Sequence, residues 1–112
     1  MERTVRHLLV LAVVAAAFIG MLYAAAPSIK SLSPLSGYHG TTVTITGANF
    51  GSTEGTSTVT FNGKPATAIA SWSDSVIKAG VPQAPFGPGK VVVTVNGVAS
   101  NGVVFTVRLR GK

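Results

Sequence analysis

Two hydrophobic patterns divide the chain. From Leu8 to Ala26 the run LLVLAVVAAAFIGMLYAAA holds 19 positions without one charged residue. Beyond Pro27 apolar residues recur instead with period two, the period of a half-buried β-strand. Thr42–Thr46 sets Val43 and Ile45 on one face and threonines on the other, and Thr58–Phe61 does the same with Val59 and Phe61. Ile77, Ala79 and Val81 form an inward set with Lys78 outward, as do Val91, Val93 and Val95, and later Val103, Phe105 and Val107. Turn signals separate these runs: Ser36-Gly37, Gly47 to Gly51, Asn62-Gly63, Ser73-Asp74, Gly87-Pro88-Gly89 and Asn96-Gly97. Asn-Gly marks a tight hairpin, because a type I′ turn needs positive φ at both central residues. About seven short strands with turns every 8–12 residues predict an all-β fold, an antiparallel sandwich, preceded by one N-terminal hydrophobic helix.

One strand breaks parity. Across Asn96-Gly97, Val95 pairs with Val98, which would turn the even-numbered residues of the last strand inward. Val103, Phe105 and Val107 are odd, so a bulge is expected at Ser100-Asn101-Gly102.

The apolar run follows Arg3, Arg6 and His7 and is closed by Pro27. As a helix it spans about 28 Å, close to the thickness of a bilayer core. Cleavage after Ala26 would leave proline at the first mature position, and earlier cuts put Tyr23 or Leu22 where a small residue is needed. Residues 1–26 are therefore read as a signal-anchor or transmembrane helix, with a cleaved signal peptide as the alternative. In both readings residues 27–112 lie outside the cytoplasm, periplasmic or extracellular, since basic flanks stay inside.

The exported part carries familiar pieces: Pro27-Ser28-Ile29, Leu32 to Gly37, Gly40 to Gly47, Asn49-Phe50-Gly51, Val59 to Gly63, Trp72-Ser73-Asp74, Val81-Pro82 and Phe105-Thr106-Val107. Residues 27–108 resemble the IPT/TIG domain, an immunoglobulin-like fold shared by plexins, Rel-type transcription factors and bacterial envelope proteins. The resemblance implies an immunoglobulin-like sandwich over residues 27–112 and brings no catalytic residues with it.

Composition narrows the chemistry further. The chain has no cysteine, three acidic residues and a net charge of +6. Glu54 and Asp74 are the one carboxylate pair outside the N-terminal segment, with no supporting residues and no cleft implied, and Asp74 is expected to cap the turn before the next strand. His39 has no second histidine or cysteine to join it in a metal site. No phosphate-binding glycine loop opens a helix. These absences predict a non-enzymatic protein without cofactor or metal. Nucleic acid is excluded as a partner because an exported domain meets none.

The leading expectation is a membrane-anchored interaction or scaffolding module, an accessory subunit of an envelope or membrane complex, with a protein partner and with the bilayer holding residues 8–26. The alternative is a secreted or surface carbohydrate-binding or adhesion domain. Strands that alternate in direction place Tyr38, Phe86 and the basic tail Arg108, Arg110 and Lys112 at the end far from the N-terminal segment, and Trp72 at the near end. These six residues are the candidate partner-binding set, with Trp72 the expected platform if the ligand is a polysaccharide.

Overall fold

The computed structural model describes residues 25–109. Apart from Ala25 and Ala26, which carry no regular structure, the expected helix over 8–26 lies outside the described residues, as do Arg110 and Lys112. Among the described residues no helix is long and apolar enough to cross a membrane.

Seven strands of four residues or more and three of two residues build two sheets. In chain order they are β1 (Ser28–Ser33), β2 (Ser36–Gly37), β3 (Thr42–Ala48), β4 (Thr58–Phe61), β5 (Lys64–Pro65), β6 (Ile69–Trp72), β7 (Val76–Gly80), β8 (Gly87–Val95), β9 (Val98–Ala99) and β10 (Val103–Val107). One sheet has the order β1-β3-β7-β6; the other runs β2-β10-β8-β4-β5, with β9 also on β8. Every pairing is antiparallel except that of β2 with β10. The chain crosses from one sheet to the other between β1 and β2, where the Ser33–Pro34 peptide bond is cis.

The inward faces are those the alternation predicts. Val43 and Ile45 of β3, Ile77 and Ala79 of β7, and Val91 and Val93 of β8 are fully buried between the sheets. Phe61 and Phe105 meet edge to face at 5.5 Å across the middle of that layer, a favoured arrangement of aromatic quadrupoles.

The parity break is resolved by a one-residue slip. Val95 pairs with Val98 and Thr94 with Ala99, whereas β10 joins β8 with Val103 opposite Val91. The extra residue lies in Ser100–Gly102. Ser100 replaces the interrupted ladder: its N–H donates to Val93 O at 2.7 Å and its Oγ accepts from Val93 N at 2.9 Å. Asn101 turns toward the opposite sheet, where Oδ1 accepts from Ile29 N at 2.7 Å and Nδ2 donates to Ile29 O at 3.0 Å. Its amide thus fills the place of a missing β-bridge at the bulge of β1 between Ile29 and Ser31.

Three turn expectations are corrected, the first at Ser36-Gly37, which forms the short strand β2 beside β10. Gly87-Pro88-Gly89 is strand, opposite Val107, Thr106 and Phe105. The N–H of Thr106 points away from β8, to Leu35 O, so the backbone polar groups of its partner Pro88 face the other side of β8. There β4 has already ended, at Phe61 opposite Val91, and no ladder bond needs the missing N–H. Gly47 likewise belongs to β3. A Cβ there would collide with the Ser28 carbonyl oxygen and the Phe50 ring, so glycine serves close approach of two backbones. β6 escaped the sequence reading because Ile69-Ala70-Ser71 carries too little apolar contrast to alternate.

Phe105→Ala is expected to cost about 3–5 kcal/mol in urea unfolding, the range for a buried phenylalanine truncation, and Thr106→Ala on the outer face less than about 1 kcal/mol. Gly47→Ala is expected to cost about 1–3 kcal/mol by overpacking; a neutral result would place the β1–β3 contact elsewhere.

Candidate functional site

The alternating strands divide the loops between two ends. The near end, where the chain enters at Pro27, holds the loop after β3, the β6–β7 turn and the Asn96-Gly97 turn. The far end holds residues 34–41, the loop from Val81 to Phe86, the Asn62-Gly63 turn and the exit at Arg108.

The near end is built for packing. Phe50 leaves β3 and plugs the core, fully buried. The backbone N–H of Phe50 donates to Asp74 O at 3.0 Å and that of Gly51 to Asp74 Oδ1 at 3.0 Å. Asp74 therefore ties the β3 exit loop rather than capping its own turn. Ser73 holds that turn instead, its Oγ accepting from Val76 N at 3.0 Å. Trp72 lies edge-on to Phe50 with centroids 6.5 Å apart. Its indole N–H is shared between Phe50 O at 3.2 Å and Gly51 O at 3.1 Å. The ring is half-buried and its one donor is committed, so Trp72 acts here as a lid on the core. A shallow depression beside it, about 420 Å³, is walled by Gly51–Ser57, Val95 and Asn96. Glu54 in that wall and Asp74 are the acidic residues among those described, and both lie at this end.

At the far end the structure brings Tyr38, Phe86 and Arg108 together, and adds His39 and Leu109, around a cavity of about 140 Å³. Short-range pairing accounts for each placement. β2 runs parallel to β10 with Gly37 opposite Val107, and Arg108 N donates to Gly37 O at 2.8 Å, which sets Arg108 beside Tyr38. The Arg108 guanidinium carbon lies 5.8 Å from the Tyr38 ring centroid, within cation–π range. Gly40 N bonds Val81 O and Val81 N bonds Thr41 O, both at 2.9 Å, anchoring the start of the 81–86 loop. Buried Ala84 pins its middle.

His39 then joins the two segments. Its Nε2 lies 3.2 Å from Ala84 O; a carbonyl can only accept, so Nε2 carries a proton. The imidazole stacks on Phe86 at 5.4 Å and 22°. Phe86 nonetheless remains 57% exposed and Leu109 69%, so the phenyl face opposite His39 is open to solvent. Sequence reasoning set His39 aside because it looked for metal ligands; the available signal was its neighbour Tyr38 in a turn.

Among the described residues no group of three or more histidine, cysteine or acidic side chains could hold a metal. What the far end offers is a flat apolar face, a cation with a planar fork of donors and an imidazole, a set that can bind a ligand.

The family profile described as the IPT/TIG domain matches residues 27–107. Among curated proteins, the cyclomaltodextrin glucanotransferase of Bacillus sp. (strain 6.6.3) is 42% identical over 75 residues, which is 67% of this chain and 10% of that protein. The chain thus spans about a tenth of the length of the curated relatives it matches. Among solved structures, the gamma-cyclomaltodextrin glucanotransferase from alkalophilic Bacillus clarkii superposes with a TM-score of 0.69 at 34% identity, covering 74% of this chain and 12% of that one. SGBP-B from a complex xyloglucan utilization locus in Bacteroides uniformis gives a TM-score of 0.58 at 25% identity, covering 74% and 23%.

Trp72→Phe is expected to destabilise the domain by about 1–2 kcal/mol, because two carbonyl oxygens lose their donor. The far-end contacts should stay unchanged, with the His39 ring resonances in NMR as the readout.

Proposed function

The chain belongs to the IPT/TIG domain family, and from that premise we propose that it is a non-catalytic carbohydrate-binding module working outside the cytoplasm. The observation that carries this reading is the 42% identity to a domain-sized tenth of a cyclomaltodextrin glucanotransferase. The likeness to SGBP-B from a xyloglucan utilization locus adds a second glycan-related neighbour. Two relatives built around different glycans share this fold, so the fold itself does not name the sugar.

The far-end cluster supplies the chemistry. The C–H bonds on one face of a pyranose carry partial positive charge and meet the negative face of an aromatic quadrupole. The open face of Phe86 is such a platform, held at a fixed tilt by His39. Arg108 lines the same cavity as a hydrogen-bond donor, and His39 backs the ring from its other face. Trp72, the platform expected from the sequence, has its N–H engaged and its ring on Phe50, which favours the far end instead.

A membrane-tethered interaction module is the second reading, and the Leu8–Ala26 run favours it. It concerns how the domain is held, and is compatible with a glycan ligand. An intact N-terminus in mass spectrometry of the native protein would support tethering; a mature N-terminus at or beyond residue 18 would remove it.

Affinity electrophoresis of the full chain in gels containing amylose, xyloglucan or polygalacturonate tests the binding reading. Retardation in at least one gel is expected, lost in Phe86→Ala and kept in Trp72→Phe, with circular dichroism confirming that both variants fold. Free migration in all three gels, or retardation that Phe86→Ala leaves intact, would sink it.

A further inference from the structure

We propose that the far-end cluster takes an acidic polysaccharide, with Arg108 pairing a uronate carboxylate while the sugar ring lies on Phe86. This rests on the carbohydrate-binding reading above and names the ligand class of the same site.

Three observations point to an anionic ligand. The first is the segregation of charge. Glu54 and Asp74, the acidic residues among those described, both sit at the near end, and Asp74 is engaged with the Gly51 N–H. The far end thus presents cations with no acidic side chain among the described residues to neutralise them. The second is the set-up of Arg108. Its backbone is held by Gly37 O at 2.8 Å and its guanidinium is parked over Tyr38. Guanidinium carries donors only, in a planar fork that matches the two oxygens of a carboxylate. A side chain ordered before binding loses less rotamer freedom on contact. The third is spacing along the sheet. Lys90 lies opposite exposed Val104, on the outer face of the strand pair that leads to Arg108, a further cation for a neighbouring uronate of one polymer.

A neutral sugar would use this site less well. Its hydroxyl groups both donate and accept, and sites that hold them combine donors with side-chain acceptors. The charged group of the cluster, Arg108, is a pure donor, so a carboxylate gains more from it than a hydroxyl does. The excess of seven lysines and arginines over two acidic residues in residues 27–112 adds long-range steering of a polyanion, which salt screens.

The test is the affinity of the full chain for polygalacturonate, amylose and xyloglucan at about 50 and 500 mM NaCl, where the screening length falls several-fold. Polygalacturonate is expected to bind at least about tenfold more tightly than either neutral glycan at low salt, and to weaken at high salt. Arg108→Gln and Phe86→Ala should each lower that affinity about tenfold or more, Arg108→Lys should lower it partway, and Lys30→Gln, a cation of the other sheet, should change it less than about twofold. Salt-insensitive binding of amylose or xyloglucan, untouched by Arg108→Gln, would overturn the acidic assignment and leave the carbohydrate reading standing. Equal losses from Lys30→Gln and Arg108→Gln would reduce the contact to diffuse polyelectrolyte adsorption and overturn it too. Binding to phosphatidylglycerol vesicles with no glycan bound would overturn both the assignment and the reading beneath it.

Discussion

The single extra residue between β9 and β10 governs both the core and the candidate site. Without it, the pairing begun at Val95 and Val98 would carry Val104, Thr106 and Arg108 into the interior. With it, Phe105 and Val107 point inward and Arg108 leaves the sheet as an exposed cation. The slip costs ladder bonds on β8, which Ser100 restores locally through Val93. Asn101 converts the remaining irregularity into a link between sheets, because a carboxamide presents the donor and acceptor pair of a peptide group. In a chain without cysteine, one side chain bonded to both polar atoms of Ile29 links the two layers here.

The far end is a consequence of the chain changing sheets. β1 belongs to one layer and β2 to the other, so the Tyr38-His39 turn hangs beside β10 instead of beside β3's own neighbours. Segments from residues 38–39, 84–86 and 108–109 then converge: backbone bonds set the first and last, and Ala84 burial with the His39 contact sets the middle one. Such a site is rigid at its base and free at its surface: pairing fixes where Arg108 and Phe86 start, and solvent decides nothing about their spacing. That is the usual division between a scaffold and the loops it positions.

The two ends use aromatic residues in opposite ways. At the near end Phe50 and Trp72 are consumed by closure of the sandwich, with the indole N–H and the O and Oδ1 atoms of Asp74 engaged inside the domain. At the far end Phe86 stacks on one face only. Residue type does not separate these fates. Trp72 is the larger and more commonly functional ring, and it is the one withdrawn into packing.

The sequence by itself determined the class of fold, the inward face of β3, β4, β7, β8 and β10, and the existence and position of the register slip. All of these follow from period-two alternation, which depends on neighbours along the strand and so is written locally. Only the tertiary structure decided that Gly47 and the Gly87–Gly89 segment are strand, because what makes them so is the absence of a clash or of a partner strand across space. Only the tertiary structure made Phe50 core and gave His39 a place between Ala84 and Phe86. Loop residues lack a periodic signal, and contacts between residues about 45 apart depend on where the sheets have already brought their ends.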